Sequence, residues 1–133
     1  GSVYLDPGRR VMGDSTMGVQ RMYEAMGLSL DEDFKELPDH ISVELEFMYY
    51  LIHKEVEAIE KSDFDKALAL KEKQEIFLDQ FLRPWVPLLC AQIGDSTDNE
   101  FYVALANCLS IFFRPTCEDK MYRHFLGTDV LGL

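Results

Sequence analysis

Residues 36–61 read ELPDHISVELEFMYYLIHKEVEAIEK, and their spacing decides the fold class. Pro38 stands where a helix can begin, because a first-turn N–H has no intrahelical acceptor to lose. From there Ile41, Leu45, Met48, Ile52 and Ile59 form one stripe, widened by Phe47, Leu51 and Val56. The pattern predicts a helix over 39–61 with that stripe in the core. Glu44, Glu46, Lys54, Glu55 and Glu57 are expected to supply the wet side.

The same period runs outward in both directions. Upstream, Val19, Met22, Tyr23 and Met26 share a face of a helix expected over 15–26, capped by Asp14 or Ser15 and ended by Gly27. Residues 1–13, broken by Pro7, Gly8 and Gly13, read as an irregular lead-in, and 28–37 as an acidic connection. Downstream, Ser62-Asp63 makes a break before a helix over 64–82. Its buried candidates are Phe64, Leu68, Leu70, Phe77, Leu78, Phe81 and Leu82. Arg83-Pro84 ends it, since the residue before proline avoids helical geometry.

A short apolar helix over 85–93 stops at Gly94. Thr97-Asp98-Asn99-Glu100 then reads as a capping box, with Thr97 at the cap. The helix after it, 98–113, is apolar almost all round and is expected to sit centrally. The tail 114–133 carries a short helix near 117–125. No run alternates as a strand does, so the chain is read as a single all-α domain, a helical bundle.

The formal net charge is −11 and the sequence pI about 4.6. An acidic surface repels nucleic acid and attracts a basic peptide, most strongly at low salt, although solubility alone also accounts for it. The cysteines, Cys90, Cys108 and Cys117, are odd in number with no CxxC pair, which argues against a disulfide framework or zinc site. Cys90 and Cys108 have apolar neighbours and read as small core residues. The longest nearly apolar stretch, 103–113, falls short of the ~20 residues a spanning helix needs. The chain starts at Gly1-Ser2 without Met, which resembles a cut or cloned end and predicts a fragment.

Glu36, Asp39 and His40 gather at the start of the helix over 39–61. A carboxylate there suits the helix dipole and can cap free N–H groups, so Asp39 has an ordinary structural reading, and so does His40. An enzymatic reading would make Glu36, Asp39, His40, Glu44 and His53 a metal or acid–base cluster, with His40 and Glu44 on one face. Against it, no H-E-x-x-H pair, phosphate loop or nucleophile elbow occurs. No cofactor is expected.

Glu36-Leu37-Pro38-Asp39-His40 resembles the E-x-P-D-H signature of the TorD/DmsD (NarJ-like) chaperones, and Glu44-Leu45-Glu46-Phe47-Met48 continues it. Ser2 to Leu5 with Pro7, the YEAMGL step from Tyr23, and Phe81-Leu82-Arg83-Pro84-Trp85-Val86-Pro87 are similar to the family's other landmarks, in its order. Two departures stand out. The family's N-terminal helices are absent, and Phe81 stands where a histidine is frequent.

The resemblance implies an all-α bundle in the cytoplasm that catalyses nothing. It would bind the twin-arginine leader and apo form of a molybdenum-cofactor oxidoreductase until the cofactor is inserted, or else serve a non-exported nitrate reductase-type subunit. Asp39 and His40 would lie at the leader-binding surface, with Glu36 and Pro38 shaping the turn and Trp85 and Pro87 lining an apolar wall. Arginine forks pair well with carboxylates, and a tryptophan face takes both apolar and cationic groups. Without the N-terminal helices, the apolar face of 101–113 predicts a homodimer or domain-swapped assembly.

Overall fold

The structure, a computed structural model, describes residues 1–5, 8, 13–31 and 36–113. The tail helix near 117–125, Cys117 and part of the acidic connection lie outside the described residues. Within them every regular element is helical: α1 (Ser2–Leu5), α2 (Asp14–Ala25), α3 (Ile41–Glu60), α4 (Phe64–Phe77), a π-helical turn (Leu78–Leu82), α5 (Val86–Ser96) and α6 (Glu100–Phe112). The lead-in read as irregular therefore carries one helical turn, α1, closed by the N–H groups of Tyr4 and Leu5 on the Gly1 carbonyl.

The helix ends follow local chemistry. Gly27 (φ +73°) ends α2: its N–H bonds Glu24 O and that of Leu28 bonds Tyr23 O, the paired bonds of a left-handed C-terminal cap. Asp63 caps α4 by accepting from Lys66 N at 3.2 Å. Three starts differ from expectation. The N-cap of α2 is Gly13, with no side-chain cap bond, and Asp14 and Ser15 lie inside the helix. The helix predicted from Asp39 begins at Ile41, with His40 as its N-cap. Thr97 is not the cap of α6. Asn99 is, accepting from Phe101 N at 3.0 Å, while Thr97 Oγ1 accepts from Asn99 N. Gly94 does not stop α5, which runs on to Ser96.

The core is built where α2, α3 and α4 meet. Tyr23 lies 4.7 Å from Phe47, and Phe47 lies 4.8 Å from Phe77 in an edge-on contact. Leu51, Phe77, Leu82 and Val86 are fully buried beside them. Gly18 admits the Phe81 ring to α2, because a Cβ there would stand 2.9 Å from its Cε1.

The buried stripe of α3 is rotated from the expected one. Val43, Glu44, Phe47, Met48, Leu51 and Ala58 face inward, whereas Ile52, Val56 and Ile59 are exposed, as are Phe64 and Leu68 of α4. Helix α6 is not central. It packs mainly against α5, buries only Ala106 fully, and leaves Phe101, Tyr102, Leu105, Ile111 and Phe112 exposed. Cys108 on it is exposed, unlike the buried Cys90.

Candidate functional site

The turn ahead of α3 is where the sequence places its chemistry. His40 N bonds the Leu37 carbonyl at 3.0 Å, a tight turn whose corner residues are Pro38 and Asp39. His40 Nδ1 then accepts from Ser42 N at 3.3 Å and lies 2.7 Å from Ser42 Oγ, so the imidazole does the capping assigned above to the carboxylate. Asp39 is thereby released to point elsewhere. Its Oδ2 accepts the backbone N–H of Ser2 and lies 3.0 Å from the Gly1 ammonium, which also donates to the Asp39 carbonyl. Burial works against its charge. The Ser2 N–H and the Gly1 ammonium more than offset that, holding its pKa at about 2. Asp39 is an anion that is 2% exposed.

Trp85 approaches from the turn before α5. It is 3% exposed, and Tyr4 of α1 stacks on it with ring centroids 5.3 Å apart and planes 22° apart. Between these two groups opens a cavity of about 240 Å³, lined by Gly1, Ser2, Tyr4, Leu37, Asp39, His40, Ile41, Trp85 and Leu89. It has an apolar wall, an aromatic face and the Asp39 carboxylate, paired with the Gly1 ammonium. Its chemistry suits a single cationic side chain with a greasy stem.

The six residues singled out in the sequence fare differently. Asp39, His40 and Trp85 line the cavity together. Pro38 lies behind it, its carbonyl accepting from the Tyr23 phenol at 2.8 Å. Glu36 is exposed and reaches His40 Nε2 at 3.8 Å. Pro87 is exposed in the first turn of α5 and is not among the lining residues.

Sequence reasoning missed Gly1, Ser2, Tyr4, Leu37, Ile41 and Leu89 as lining residues. For Tyr4 a signal existed, since Ser2 to Leu5 was already one of the landmarks. It also missed Glu44. Assigned to the wet side, this carboxyl is fully buried. Burial drives its pKa up to about 8. The Asp39 charge adds to the rise, while the Gly1 ammonium and the Trp85 indole N–H oppose it.

The enzymatic grouping does not assemble as one cluster. His53 pairs with Glu57 at 3.5 Å further along α3. No three His, Cys, Asp or Glu side chains among the described residues are grouped to hold a metal ion. No helix among them is long and apolar enough to cross a membrane.

The described residues thus form an all-helical chain with a buried carboxylate beside an aromatic wall. Residues 1–91 match the family model described as nitrate reductase delta subunit, and the chain belongs to that family. It is 31% identical to the perchlorate reductase assembly chaperone protein of Dechloromonas aromatica, over 75% of this chain and 44% of the relative. It is 30% identical to the chaperone protein TorD of Photobacterium profundum, over 84% of this chain and 50% of the relative. With the selenate reductase assembly chaperone protein of Thauera selenatis it shares 33% identity, over 61% and 40%. The chain thus spans about half the length, or less, of the curated relatives it matches. No solved structure matches.

Proposed function

We propose that this chain acts in a cytoplasmic assembly chaperone that holds the twin-arginine leader and apo form of a molybdenum oxidoreductase, delaying export until the cofactor is inserted. The observation that carries the reading is the cavity where the Asp39 anion meets the Tyr4–Trp85 stack. One leader arginine would pair with Asp39 and lay its stem along Trp85, with His40 at the rim. The leader's apolar stretch would follow the wall formed by Leu37, Ile41 and Leu89. Glu36, Pro38 and Pro87 would act around this cavity, by shaping its turn and flank. Perchlorate and selenate reductase assembly chaperones among the relatives support a redox-enzyme client. The exposed face of α6 supports self-association through a second copy.

The family description, nitrate reductase delta subunit, favours a second reading in which the client is a non-exported nitrate reductase-type subunit. Titration separates the two. A peptide with paired arginines and an apolar tail should bind saturably, weaken as salt rises, and weaken about tenfold or more for Asp39→Ala, as loss of a charge-assisted pair requires. Absence of peptide binding, with retained binding to a reductase subunit, would replace the first reading by the second.

A further inference from the structure

A second recess opens on another side of α3 from the Asp39 cavity. Its volume is about 310 Å³, and its lining residues all fall within 23–50. Val43 lines it, whereas Ile41 lines the Asp39 cavity. At about 100° per residue these two positions stand about 200° apart around the helix, so one short segment does not fill both recesses.

The core fixes its floor. Tyr23 and Phe47 are each 4% exposed, with their rings in contact. The Tyr50 ring lies 6.5 Å from Phe47 and nearly parallel to it, 16° off. Leu28 and Leu30, half-buried just after α2, line the recess as well. Its charged lining residues are Asp31 and Glu46, both exposed carboxylates, and no cation is among the described lining residues. Lys54 lies over the Tyr50 ring at 5.9 Å and is held by Glu57 at 2.8 Å.

We propose that this recess is a second binding site, which takes one aromatic or large aliphatic side chain carried on a basic polypeptide segment. Size selects a side chain. Pockets for whole ligands start at roughly 300 Å³, and this one stands at that lower limit. The rings and leucines select an apolar group, and an aromatic guest gains the offset or tilted contacts that Tyr23, Phe47 and Tyr50 make among themselves. The two carboxylates select the flanking charge. They repel a phosphate, a nucleotide or a fatty acid and attract a lysine or arginine beside the docked residue. The chain's net charge of −11 acts in the same sense at longer range, which favours an extended basic segment over an isolated amine. The site does not depend on leader binding at Asp39.

The test is methyl-resolved NMR of the whole chain, titrated with the blocked tripeptide Lys-Phe-Lys. The methyl signals of Leu28, Leu30 and Val43 should shift saturably, while those of Ile41 and Leu89 in the Asp39 cavity stay in place. Glu46→Gln, at an exposed position, should weaken binding by up to about fivefold, the scale of one exposed ion pair, and salt should weaken it too. Blocked Glu-Phe-Glu should leave the signals unmoved, and phenethylamine, a ring with one cation and no flanking residue, should bind several-fold more weakly. No saturable shift at Leu28, Leu30 and Val43 overturns the proposal. So does an affinity that neither Glu46→Gln nor salt changes, or one that Glu-Phe-Glu or phenethylamine equals. Shifts confined to Ile41 and Leu89 overturn it as well and leave the reading of the Asp39 cavity intact.

Discussion

The Tyr23 phenol donates to the Pro38 carbonyl at 2.8 Å, tying α2 to the turn that carries Asp39. The bond is buried and links residues 15 apart in sequence, so it fixes the turn from the core side. Tyr23→Phe keeps the ring against Phe47 but leaves a buried carbonyl without its donor. The expected loss is about 1–3 kcal/mol, read as a lower urea midpoint with unchanged slope. An unchanged midpoint would mean that the turn holds itself.

Glu44 and Asp39 give stability opposite dependences on pH. Glu44 in the folded chain titrates at about 8, above its ordinary 4.5. Stability from this group is complete below pH 4.5 and is lost as pH rises through 8, by at most about 1.4 kcal/mol per pH unit. Asp39 titrates at about 2, below its ordinary 3.8. Its contribution is present above 3.8 and is lost as pH falls through 2. Urea unfolding across pH 3 to 9 should show a maximum near pH 4 to 5. In Glu44→Gln the decline between pH 5 and 8 should flatten, because glutamine has no proton to lose. Parallel profiles for the two proteins would remove Glu44 as the cause.

The helical class, the order of elements and most breaks could be read from the sequence, because period, proline and capping residues act locally. Asp63 and Gly27 do what their types suggest. Which side of α3 turns inward was not legible. Ile52, Val56 and Ile59 offer a better apolar stripe than Val43, Glu44 and Ala58, yet the latter are buried. Residue type indicates where a side chain would prefer to be, and only packing against α2 and α4 decides. Glu44 was misplaced for that reason. Asp39, His40 and Trp85 were found through the motif, but their meeting with Tyr4 depends on α1 folding back across the turn, a contact no local pattern encodes.

Tyr4 stacks on Trp85, the chain's single tryptophan, which makes the site visible by fluorescence. Tyr4→Ala removes one wall of the cavity and should shift the Trp85 emission to longer wavelength as water reaches the ring. The stacking lost is about 0.5–1.5 kcal/mol beyond the buried area. Paired-arginine peptide should bind several-fold more weakly. Unchanged emission would show that Tyr4 does not shield Trp85.

Leu51 tests the core independently of the site. It is fully buried in α3 beside the Phe47 and Phe77 rings, and a smaller side chain leaves a hole that helices cannot close without moving. Leu51→Ala should cost about 2–5 kcal/mol, seen as a lower unfolding midpoint. Ile52→Ala, one residue on and exposed, should cost far less. Equal losses at the two positions would mean that the rotated stripe of α3 is wrong.

The apolar face of α6 makes the last prediction. Phe101, Tyr102, Leu105, Ile111 and Phe112 are all exposed on one helix, and Leu88 of α5 is exposed as well. A monomer seldom leaves so many large apolar side chains on a single element, and a second copy of the chain would cover them. The chain should sediment as a concentration-dependent dimer. Because apolar burial drives it, association should persist in high salt, whereas the contact at Asp39 weakens there. Phe101→Ser with Ile111→Ser should move the equilibrium to monomer without changing the helical content. A wild-type chain that stays monomeric as its concentration rises would show that this face does not bind itself.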